Sequence, residues 1–399
     1  MRRNELDYIL GTLLDFSKEV SDIIFTVDRP PQVEVCGQLM PVPLTPPLER
    51  LTPFQTELIA LNLISGSQRL VHDLIRTGSC DSSYTLGDRA RFRINIFSQR
   101  GSYSIVLRKL NAQIPTLADL NLPDVILQAS REKTGLVLVT GATGSGKSTT
   151  LASLLHEINL NSAIHIITLE DPVEFVYTQK KSTINQRELG TDFDTFSTGL
   201  RAALRQAPKV ILVGEMRDRA TVEIALSAAE TGHLVFSTLH TIDAGQTINR
   251  ILGLFEPEEQ EQVRYRLADT LRWVVSQRLV PKIGGGRHPL VEVMGSNLRT
   301  KESILLGESE GKSFYEIIEA SQTFGWRTFD HSCLDAYKKG IITEESAVLF
   351  ASKRGHVTRG IDVHKKTRGE TTSSIIDLRM TPGAERKTGP TVPSTLKLK

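Results

Sequence analysis

The chain has 399 residues, of which 39% are hydrophobic and 24% are charged, and its formal net charge at pH 7 is +2. This length is typical of two domains, and this composition is typical of a globular protein. A net charge so close to zero argues against a general polyanion-binding surface, and the sequence has no basic patch with interleaved aromatic residues. We therefore expect no specific nucleic-acid partner.

Basic charge is concentrated toward the C-terminal end of the chain. Residues 353–399 contain 11 Lys and Arg against 4 Asp and Glu, a net charge of +7. The rest of the chain then contains 37 Lys and Arg against 42 Asp and Glu, a net charge of −5. Residues 353–399 are rich in polar residues, Gly and Pro and have no hydrophobic periodicity, which predicts a disordered tail. Attraction to anionic lipid is the alternative to plain solvation of this tail.

The three cysteines, Cys36, Cys80 and Cys333, are far apart in the sequence and form no C-x-x-C pair. This spacing argues against a disulfide framework and against a structural zinc site, and it is typical of a reduced compartment. No apolar run approaches the roughly 18–20 residues that span a bilayer. We expect a cytoplasmic protein whose association with a membrane is peripheral.

Residues 1–112 are predicted to form a small mixed domain. Apolar residues recur at helical spacing near its start, at Leu6, Ile9, Leu10, Leu13 and Leu14. Short runs that favour strands are found at 23–27, 33–36, 91–97 and 104–108. A proline-rich loop precedes a predicted helix at 53–63, and residues 113–120 are predicted to be a linker.

Residues 121–352 are predicted to form a larger α/β domain. Four apolar runs, at 136–139, 165–169, 210–213 and 234–238, alternate with helical patterns. This alternation is typical of a parallel sheet that is covered by helices on both faces. Residues 257–279 are predicted to form one amphipathic helix, and residues 313–351 a helical C-terminal part.

The most specific motif lies between the first of these strands and the helix that follows it. Residues 141–149 read GATGSGKST, and the order strand, G-x-x-x-x-G-K-S, helix is that of a phosphate-binding loop. Glycines let successive backbone N–H groups point at phosphate oxygens, and the helix adds its positive N-terminal end. The predicted ATP-binding residues are Gly141, Ala142, Thr143, Gly144, Ser145, Gly146, Lys147, Ser148 and Thr149. Lys147 can reach the β- and γ-phosphates, and the Ser148 hydroxyl can bind Mg²⁺, the predicted cofactor.

Polar residues follow the other three predicted strands, at the point where each strand ends. Glu170, Glu215 and His240 stand at these ends, and ligands of open α/β sheets bind at the carboxyl ends of the strands. We therefore predict all three residues to be catalytic. Glu215 is assigned to Mg²⁺ or its water shell and Glu170 to activation of the attacking water, and the sequence allows these two roles to be exchanged. His240 is the candidate sensor of the γ-phosphate.

Other charged residues near these motifs are candidates for an interface or a sensor. His233 and His240 bracket one predicted strand, and seven extended residues span about 23 Å, so both cannot touch one phosphate. His233 is therefore predicted to face a subunit boundary or the opposite end of the sheet. Arg201, on a helix predicted at 196–205, and Arg217 are the other two candidates.

Four motifs stand in a fixed order along the chain: GATGSGKST, ITLEDPVEF, VILVGEMRD and TGHLVFSTLHT. Together they resemble the Walker A, Asp-box, Walker B and His-box segments of the secretion-superfamily ATPases of type IV pili and type II secretion. The resemblance runs from residue 20 to residue 347. It is strongest to the PilT/PilU pilus-retraction subfamily.

This resemblance implies a RecA-like P-loop ATPase core, an N-terminal α+β PAS-like domain and a homohexameric ring. It also implies that arginines of the N-terminal domain act near the nucleotide, which adds Arg91, Arg93 and Arg108 to the predicted catalytic residues. Composition alone would leave these three as solvated strand residues. Such a ring works within the pilus machinery, beside related motor ATPases. It turns against a polytopic inner-membrane platform protein and drives pilin subunits out of the fibre.

Several functions stay open at this point. The first is a motor for type IV pilus retraction, or an accessory of that motor, and the second is a motor of a related secretion or conjugation system. The third is a regulatory paralogue that hydrolyses little ATP, which the retention of Lys147, Glu170, Glu215 and His240 disfavours. A RecA-like nucleic-acid translocase is disfavoured by the net negative charge of residues 1–352.

Overall fold

The computed structural model describes residues 3–64, 66–110 and 113–369. These residues form two β-sheets, and each sheet packs into a hydrophobic core of its own. The mixed architecture confirms the predicted α/β class. Residues 113–120 contain turns but no helix or strand, and the domain boundaries remain a prediction.

The elements of the N-terminal unit are α1 (Arg3–Asp15), β1 (Val20–Phe25), β2 (Gln32–Val35), β3 (Gln38–Pro41), α2 (Pro53–Leu63), α3 (Gln68–Thr77), β4 (Ser79–Leu86), β5 (Ala90–Gln99) and β6 (Ser102–Leu110). The strands form an antiparallel sheet in the order β3-β2-β1-β6-β5-β4. In β5, Phe92, Ile94 and Ile96 are buried, and Arg91 and Arg93 alternate with them. Because successive side chains of a strand point to opposite faces, both arginines lie on the face turned away from the core.

The second unit is built on a seven-stranded sheet. Its elements are β7 (Gly135–Thr140), α4 (Lys147–Asn161), β8 (His165–Glu170), β9 (Thr183–Glu188), α5 (Phe196–Ala203), β10 (Val210–Val213), α6 (Arg219–Glu230), β11 (Leu234–Leu239), α7 (Ala244–Leu252), α8 (Pro257–Thr270), β12 (Leu271–Pro281), β13 (Arg287–Gly295), α9 (Leu298–Leu306), α10 (Phe314–Ala320), α11 (Phe329–Lys338), α12 (Glu344–Leu349) and α13 (Arg354–Thr367), with 3-10 helices at Asp124–Arg131 and Gln322–Phe324. The strand order is β13-β12-β7-β11-β10-β8-β9, and only β13 runs antiparallel to its neighbour.

The four strands predicted for this sheet are confirmed as β7, β8, β10 and β11. Every residue of β7, β10 and β11 is buried, because parallel strands that carry helices on both faces have no solvent-facing side. Their carboxyl ends meet at one edge of the sheet. This edge is where the predicted site residues are expected to converge.

The single helix predicted at 257–279 is wrong beyond Thr270. The chain leaves α8 there and continues as β12, which pairs with β7 on one side and β13 on the other. Its buried residues include consecutive ones, such as Val274 and Val275, so the segment shows no strand alternation in the sequence. Burial on both faces therefore made this strand indistinguishable from a buried helix by periodicity. The elements α3, β3, β4, β9 and β13 were also not predicted.

The predicted disorder of 353–399 is wrong for the part that forms α13. Val357 and Ile361, one helical turn apart, are fully buried and join a small core with Cys333 and Leu334 of α11. A helix with so narrow an apolar stripe is stabilised by this packing rather than by its composition. The remaining prediction, for 370–399, lies outside the described residues.

None of the helices between residues 3 and 369 is both long enough and apolar enough to cross a membrane.

Candidate active site

The loop between β7 and α4 has a backbone that only glycine tolerates at key positions. Gly141 has a φ of 145°, and a Cβ there would lie 2.4 Å from the carbonyl oxygen of Gln277 on the neighbouring strand. Gly146 adopts the left-handed conformation, with a φ of 91°, as the N-cap of α4. The glycines predicted from the motif are therefore required by the path of the loop.

The side chain of Lys147 folds back over this loop. Its ammonium group donates hydrogen bonds to the carbonyl oxygens of Gly141 (2.9 Å) and Ala142 (3.0 Å), and the residue is only 8% exposed. Burial lowers the pKa of Lys147, and the nearby carboxylates of Glu215 and Glu174 oppose that shift. The loop thus places the positive charge of Lys147 at the N-terminal end of α4, where the negative charge of a phosphate is best stabilised.

The loop opens into a cleft of about 650 Å³ at the carboxyl ends of the parallel strands, a volume that is typical of a small-molecule site. Many of the predicted site residues line this cleft: Arg93, Thr143, Gly144, Gly146, Lys147, Ser148, Thr149, Glu170, Glu215, Arg217 and His240. The cleft thereby joins the phosphate loop, the ends of β8, β10 and β11, and one arginine of the N-terminal sheet.

Glu170 is held in a defined orientation at the end of β8. One of its carboxylate oxygens accepts hydrogen bonds from the Thr168 hydroxyl (2.6 Å) and the Gln186 amide (3.0 Å). Burial raises the pKa of Glu170, and these two hydrogen bonds oppose the shift. A carboxylate with a raised pKa is a stronger base, so Glu170 is suited to take a proton from water.

Glu215 lies in a cluster of charged groups at the end of β10. Its carboxylate is 2.8 Å from the guanidinium of Arg217 and 3.4 Å from Nε2 of His240. Arg217 lies two residues after Glu215 in the chain, whereas His240 directly follows β11, the strand next to β10. Arg217 and His240, which could both contact a γ-phosphate, therefore lie around the carboxylate of Glu215.

Ser148 and Glu215 fit the predicted Mg²⁺ in their donor chemistry. The exposed Ser148 hydroxyl, on the first turn of α4, lines the same cleft as the Glu215 carboxylate, and both offer the hard oxygen atoms that Mg²⁺ prefers. Within the described part of the chain, no group of three or more His, Cys, Asp or Glu could hold a metal ion by itself. Ser148 and Glu215 therefore offer oxygen ligands suited to Mg²⁺.

Several predicted residues lie outside the lining of the cleft: Gly141, Ala142, Ser145, Arg91, Arg108, Arg201 and His233. The first three belong to the loop itself. His233 precedes β11, at the opposite end of the strand from His240, and its Nδ1 is 3.0 Å from the carbonyl oxygen of Ala228. Arg108 is paired with Asp22 at 2.9 Å within the N-terminal sheet, and Arg201 lies on α5.

Arg91 and Arg93 have different surroundings although they share one face of β5. The Arg91 guanidinium is 2.6 Å from the Glu188 carboxylate and donates to the carbonyl oxygen of Val173 (3.2 Å). Arg93 lines the cleft and lies close enough to Asp171 to oppose the rise in pKa that burial causes there. Only Arg93 of the three candidate arginines therefore faces the nucleotide cleft.

The residues that orient this site were not predicted from the sequence. Thr168 and Gln186 hold Glu170, and Glu188 holds Arg91. Gln186 and Glu188 belong to β9, in which Ile184 is the only apolar residue. A strand this short and polar gives almost no periodic signal.

The chain is similar to known proteins both in sequence and in fold. The family model described as Type II/IV secretion system protein matches residues 82–323. The type IV pilus retraction ATPase PilT of Pseudomonas aeruginosa is 40% identical over 337 residues, which cover 84% of this chain and 96% of that protein. The type IV pilus ATPase PilU of the same organism is 36% identical over 372 residues, which cover 93% of this chain and 95% of that protein.

The fold agrees with these matches. The crystal structure of the pilus retraction motor PilT with bound ADP superposes with a TM-score of 0.79 at 43% identity, covering 89% of this chain and 98% of that chain. The predicted RecA-like core with its N-terminal PAS-like domain is thereby confirmed. The chain belongs to the type II/IV secretion system protein family, in which it is an ATP-hydrolysing, PilT- and PilU-like type IV pilus ATPase.

Proposed function

We propose that this ATPase is the motor of type IV pilus retraction. The observation that supports this most is the composition of the cleft, in which a phosphate loop and two carboxylates from the larger sheet face Arg93 from the N-terminal sheet. A nucleotide in this cleft touches both units, so its hydrolysis can change how they are arranged. The similarity to PilT extends over nearly the full length of that retraction ATPase. It therefore supports retraction of the pilus rather than extension as the function of this motor.

ATP binds through the phosphate loop. The backbone N–H groups of residues 142–148 and the positive end of α4 contact the β- and γ-phosphates, and Lys147 turns from the loop carbonyls to the phosphate oxygens. Ser148 and Glu215 would hold Mg²⁺ in this cleft. The cation would supply positive charge that offsets the charge of the phosphates.

Hydrolysis then requires a base and a stabilised phosphoryl group. Glu170, oriented by Thr168 and Gln186, takes a proton from the attacking water as the new oxygen–phosphorus bond forms and the bond to ADP breaks. Arg93 and Arg217 stabilise the negative charge of the transferring group. His240 senses whether the γ-phosphate is present, because it lies beside Glu215 at the end of β11.

The chain works as a homohexameric ring in this proposal. Successive ATP turnovers move the N-terminal units against the larger sheets, and the ring transmits this motion to a polytopic inner-membrane platform protein. The platform protein then releases pilin subunits from the base of the fibre, with the other motor ATPases of the pilus machinery acting on the same platform.

The C-terminal helix offers a surface for peripheral association with the inner membrane. Residues 353–369 contain 6 Lys and Arg against 1 Asp, so most of the C-terminal positive charge is on or beside α13. Arg359, Val363 and Lys366 are exposed at spacings of four and three residues, opposite the buried Val357 and Ile361. Such a face is attracted to anionic lipid, by about 1 kcal/mol per basic residue near the surface.

The retraction role is tested by deleting the gene and restoring it with wild type or Lys147→Ala. We expect deletion cells to carry excess surface pili and to lose twitching motility, and only the wild-type gene should restore both. Bald deletion cells would show an extension motor and contradict the proposal.

A second candidate is an accessory motor ATPase, which the similarity to PilU over 93% of this chain favours. Deletion cells with excess pili and no motility exclude it. Unchanged pili and unchanged motility support it over the retraction motor.

The membrane role is tested by flotation of the full-length protein with vesicles of anionic or neutral phospholipid. We expect binding to anionic vesicles that Arg359→Gln combined with Lys366→Gln weakens. The matched control is Arg250→Gln combined with Lys282→Gln, which removes two exposed charges elsewhere. Equal flotation of all three proteins would contradict a role for α13.

A further inference from the structure

One buried carboxylate joins the two units beside the cleft. Glu188, at the end of β9, is 7% exposed and accepts hydrogen bonds from three directions. The donors are the Arg91 guanidinium (2.6 Å), the Ser83 hydroxyl (2.8 Å) and the backbone N–H of Val173 (3.1 Å). Two of these donors belong to the N-terminal sheet and the third to the loop after Glu170. We call Glu188, Arg91, Ser83 and Val173 the Glu188 latch.

The latch holds two neighbours of Arg93. Ser83 of β4 is directly opposite Arg93 in the strand register, and Arg91 precedes it by two residues on the same face of β5. Arg91 also donates to the Ser83 hydroxyl (2.8 Å), so these two side chains are linked to each other as well as to Glu188. Arg93 itself is left out of the latch and lines the cleft.

The contact between the two units continues past the latch. Gly190, just beyond β9, has a φ of 81°, and a Cβ there would lie 1.9 Å from a guanidinium nitrogen of Arg69 on α3. The Arg69 side chain is therefore packed directly on the backbone of this turn. The N-terminal unit is thus held at two separate points, Glu188 and Gly190. Two points of contact restrict both the rotation of the N-terminal unit against the larger unit and the separation of the two units.

The same strand also orients the candidate base. Gln186, two residues before Glu188, donates to Glu170 (3.0 Å) and to the carbonyl oxygen of Phe175 (2.7 Å). Two residues of β9 therefore hold groups on opposite sides of the cleft. Gln186 holds Glu170, the candidate base, and Glu188 holds β5, the strand that carries Arg93. A shift of β9 relative to β5 would change the separation of these two groups.

We propose that Glu188 is a positioning residue for ATP hydrolysis, which acts by holding Arg91 and Ser83 so that Arg93 faces the cleft. Arg91 is then an anchor of the N-terminal unit and does not contact phosphate. The latch has to hold in the arrangement that hydrolyses ATP. This inference rests on the role proposed for Arg93, so the experiment must separate a failure of the latch from a failure of that role.

The experiment measures kcat for ATP and the Kd of ADP in the full-length protein. Glu188→Gln and Arg91→Gln are made alone and in combination with Arg93→Ala. We expect each single latch variant to lower kcat by about 10- to 100-fold, because a displacement of about 1 Å can cost that much. The Kd of ADP should change less than twofold. In the Arg93→Ala background, neither latch substitution should lower kcat any further.

Two more variants are made, one as a matched control and one as a milder change to the latch. Glu230→Gln is the matched control, because Glu230 pairs with Arg266 at 2.6 Å in the larger unit, away from the N-terminal sheet. It should leave kcat unchanged. Ser83→Ala removes one uncharged donor of the latch, and it serves if Glu188→Gln or Arg91→Gln fails to fold. Ser83→Ala should show a smaller loss of kcat that also disappears in the Arg93→Ala background.

Three results would overturn the inference, and they differ in what else they overturn. Losses of kcat that multiply between Glu188→Gln and Arg93→Ala would show that Glu188 does not act through Arg93, whose own role would stand. A loss for Glu188→Gln with none for Arg91→Gln would show that Glu188 does not act through Arg91. An unchanged kcat for Arg93→Ala would remove the proposed role of Arg93 and the latch with it.

Discussion

The two walls of the nucleotide cleft are built in different ways. One wall is the phosphate loop, in which residues 141–149 are contiguous and Lys147 bonds to carbonyls of its own loop. The other wall is Arg93, which comes from a separate sheet and depends on Glu188 almost a hundred residues away in the sequence. A locally built wall is present whenever its strand and helix form, whereas the distant wall exists only when the two units are in contact.

This difference suggests a division of labour between the walls. The loop wall offers donors to phosphates in any arrangement of the two units, so it determines binding. In the proposed mechanism, the arginine wall meets the γ-phosphate only when the two units are in contact, so it determines turnover and links turnover to motion. Substitutions in the two walls should therefore separate the Kd of nucleotide from kcat.

The largest effect is expected from Lys147→Ala in the loop wall. Loss of the ammonium group removes the side-chain cation of the loop, so ATPase activity should fall to the background of the assay and nucleotide binding should weaken strongly. Measurement of both quantities checks this. Lys133→Ala, which removes an exposed lysine at the other end of the sheet, is the control. Tight ATP binding by Lys147→Ala would contradict the assignment of binding to this wall.

Glu170→Gln should separate binding from chemistry within the larger sheet. Loss of the base should lower kcat by about 10²- to 10⁴-fold while ATP still binds. Because burial raises the pKa of Glu170 and the ionised form is the active one, wild-type kcat should fall as pH decreases through that raised pKa. The substitution should remove this acidic limb. An unchanged pH profile would instead favour Glu215 as the base.

Arg93→Ala is the direct test of the arginine wall. An arginine that stabilises a transferring phosphoryl group contributes about 10³-fold or more to kcat, and we expect a loss of that order. The Kd of ADP should stay within twofold of wild type, since the loop wall is intact. Arg50→Ala, an exposed arginine of the N-terminal unit, serves as the control. Equal losses in ADP affinity and kcat would erase the distinction between the walls.

The smallest effect concerns the anchoring of the segment that follows His240. Glu292 of β13 is 3% exposed, and it accepts a hydrogen bond (3.0 Å) from the backbone N–H of Ala244, four residues after His240. Burial raises the pKa of Glu292 to about 7, and the hydrogen bond from Ala244 opposes this rise. Asp243 and Asp330 add to the rise, and Arg278 opposes it. The folded protein therefore keeps this proton between pH 4.5 and 7, where the unfolded chain has lost it.

The stability that this proton contributes is fully present below the unfolded pKa and is lost as pH rises toward 7. The free energy of unfolding should therefore fall with pH in this window, by on the order of 3 kcal/mol for Glu292. Glu292→Gln cannot titrate and should flatten the curve. Denaturant unfolding at several pH values measures this, and parallel curves for the two proteins would contradict it.

Part of the fold and site could be read from local sequence. The loop at 141–149 needs glycines for its own backbone, and β7, β10 and β11 are continuous apolar runs because helices cover both faces. Glu170, Glu215 and His240 follow from the same logic, since parallel strands bring their carboxyl ends to one edge. These features depend on neighbouring residues and on a regular topology, and both leave a pattern in the sequence.

The tertiary structure alone decided the rest. The strand β12 became a strand because it pairs with β7, and α13 became a helix because Val357 and Ile361 found a partner in α11. Among the candidate arginines, the sequence could not separate Arg93 from its neighbour Arg91, because a strand places both on one face. Only the contact of two sheets decides which of them meets Glu188 and which meets the cleft, since such contacts join residues far apart in the chain.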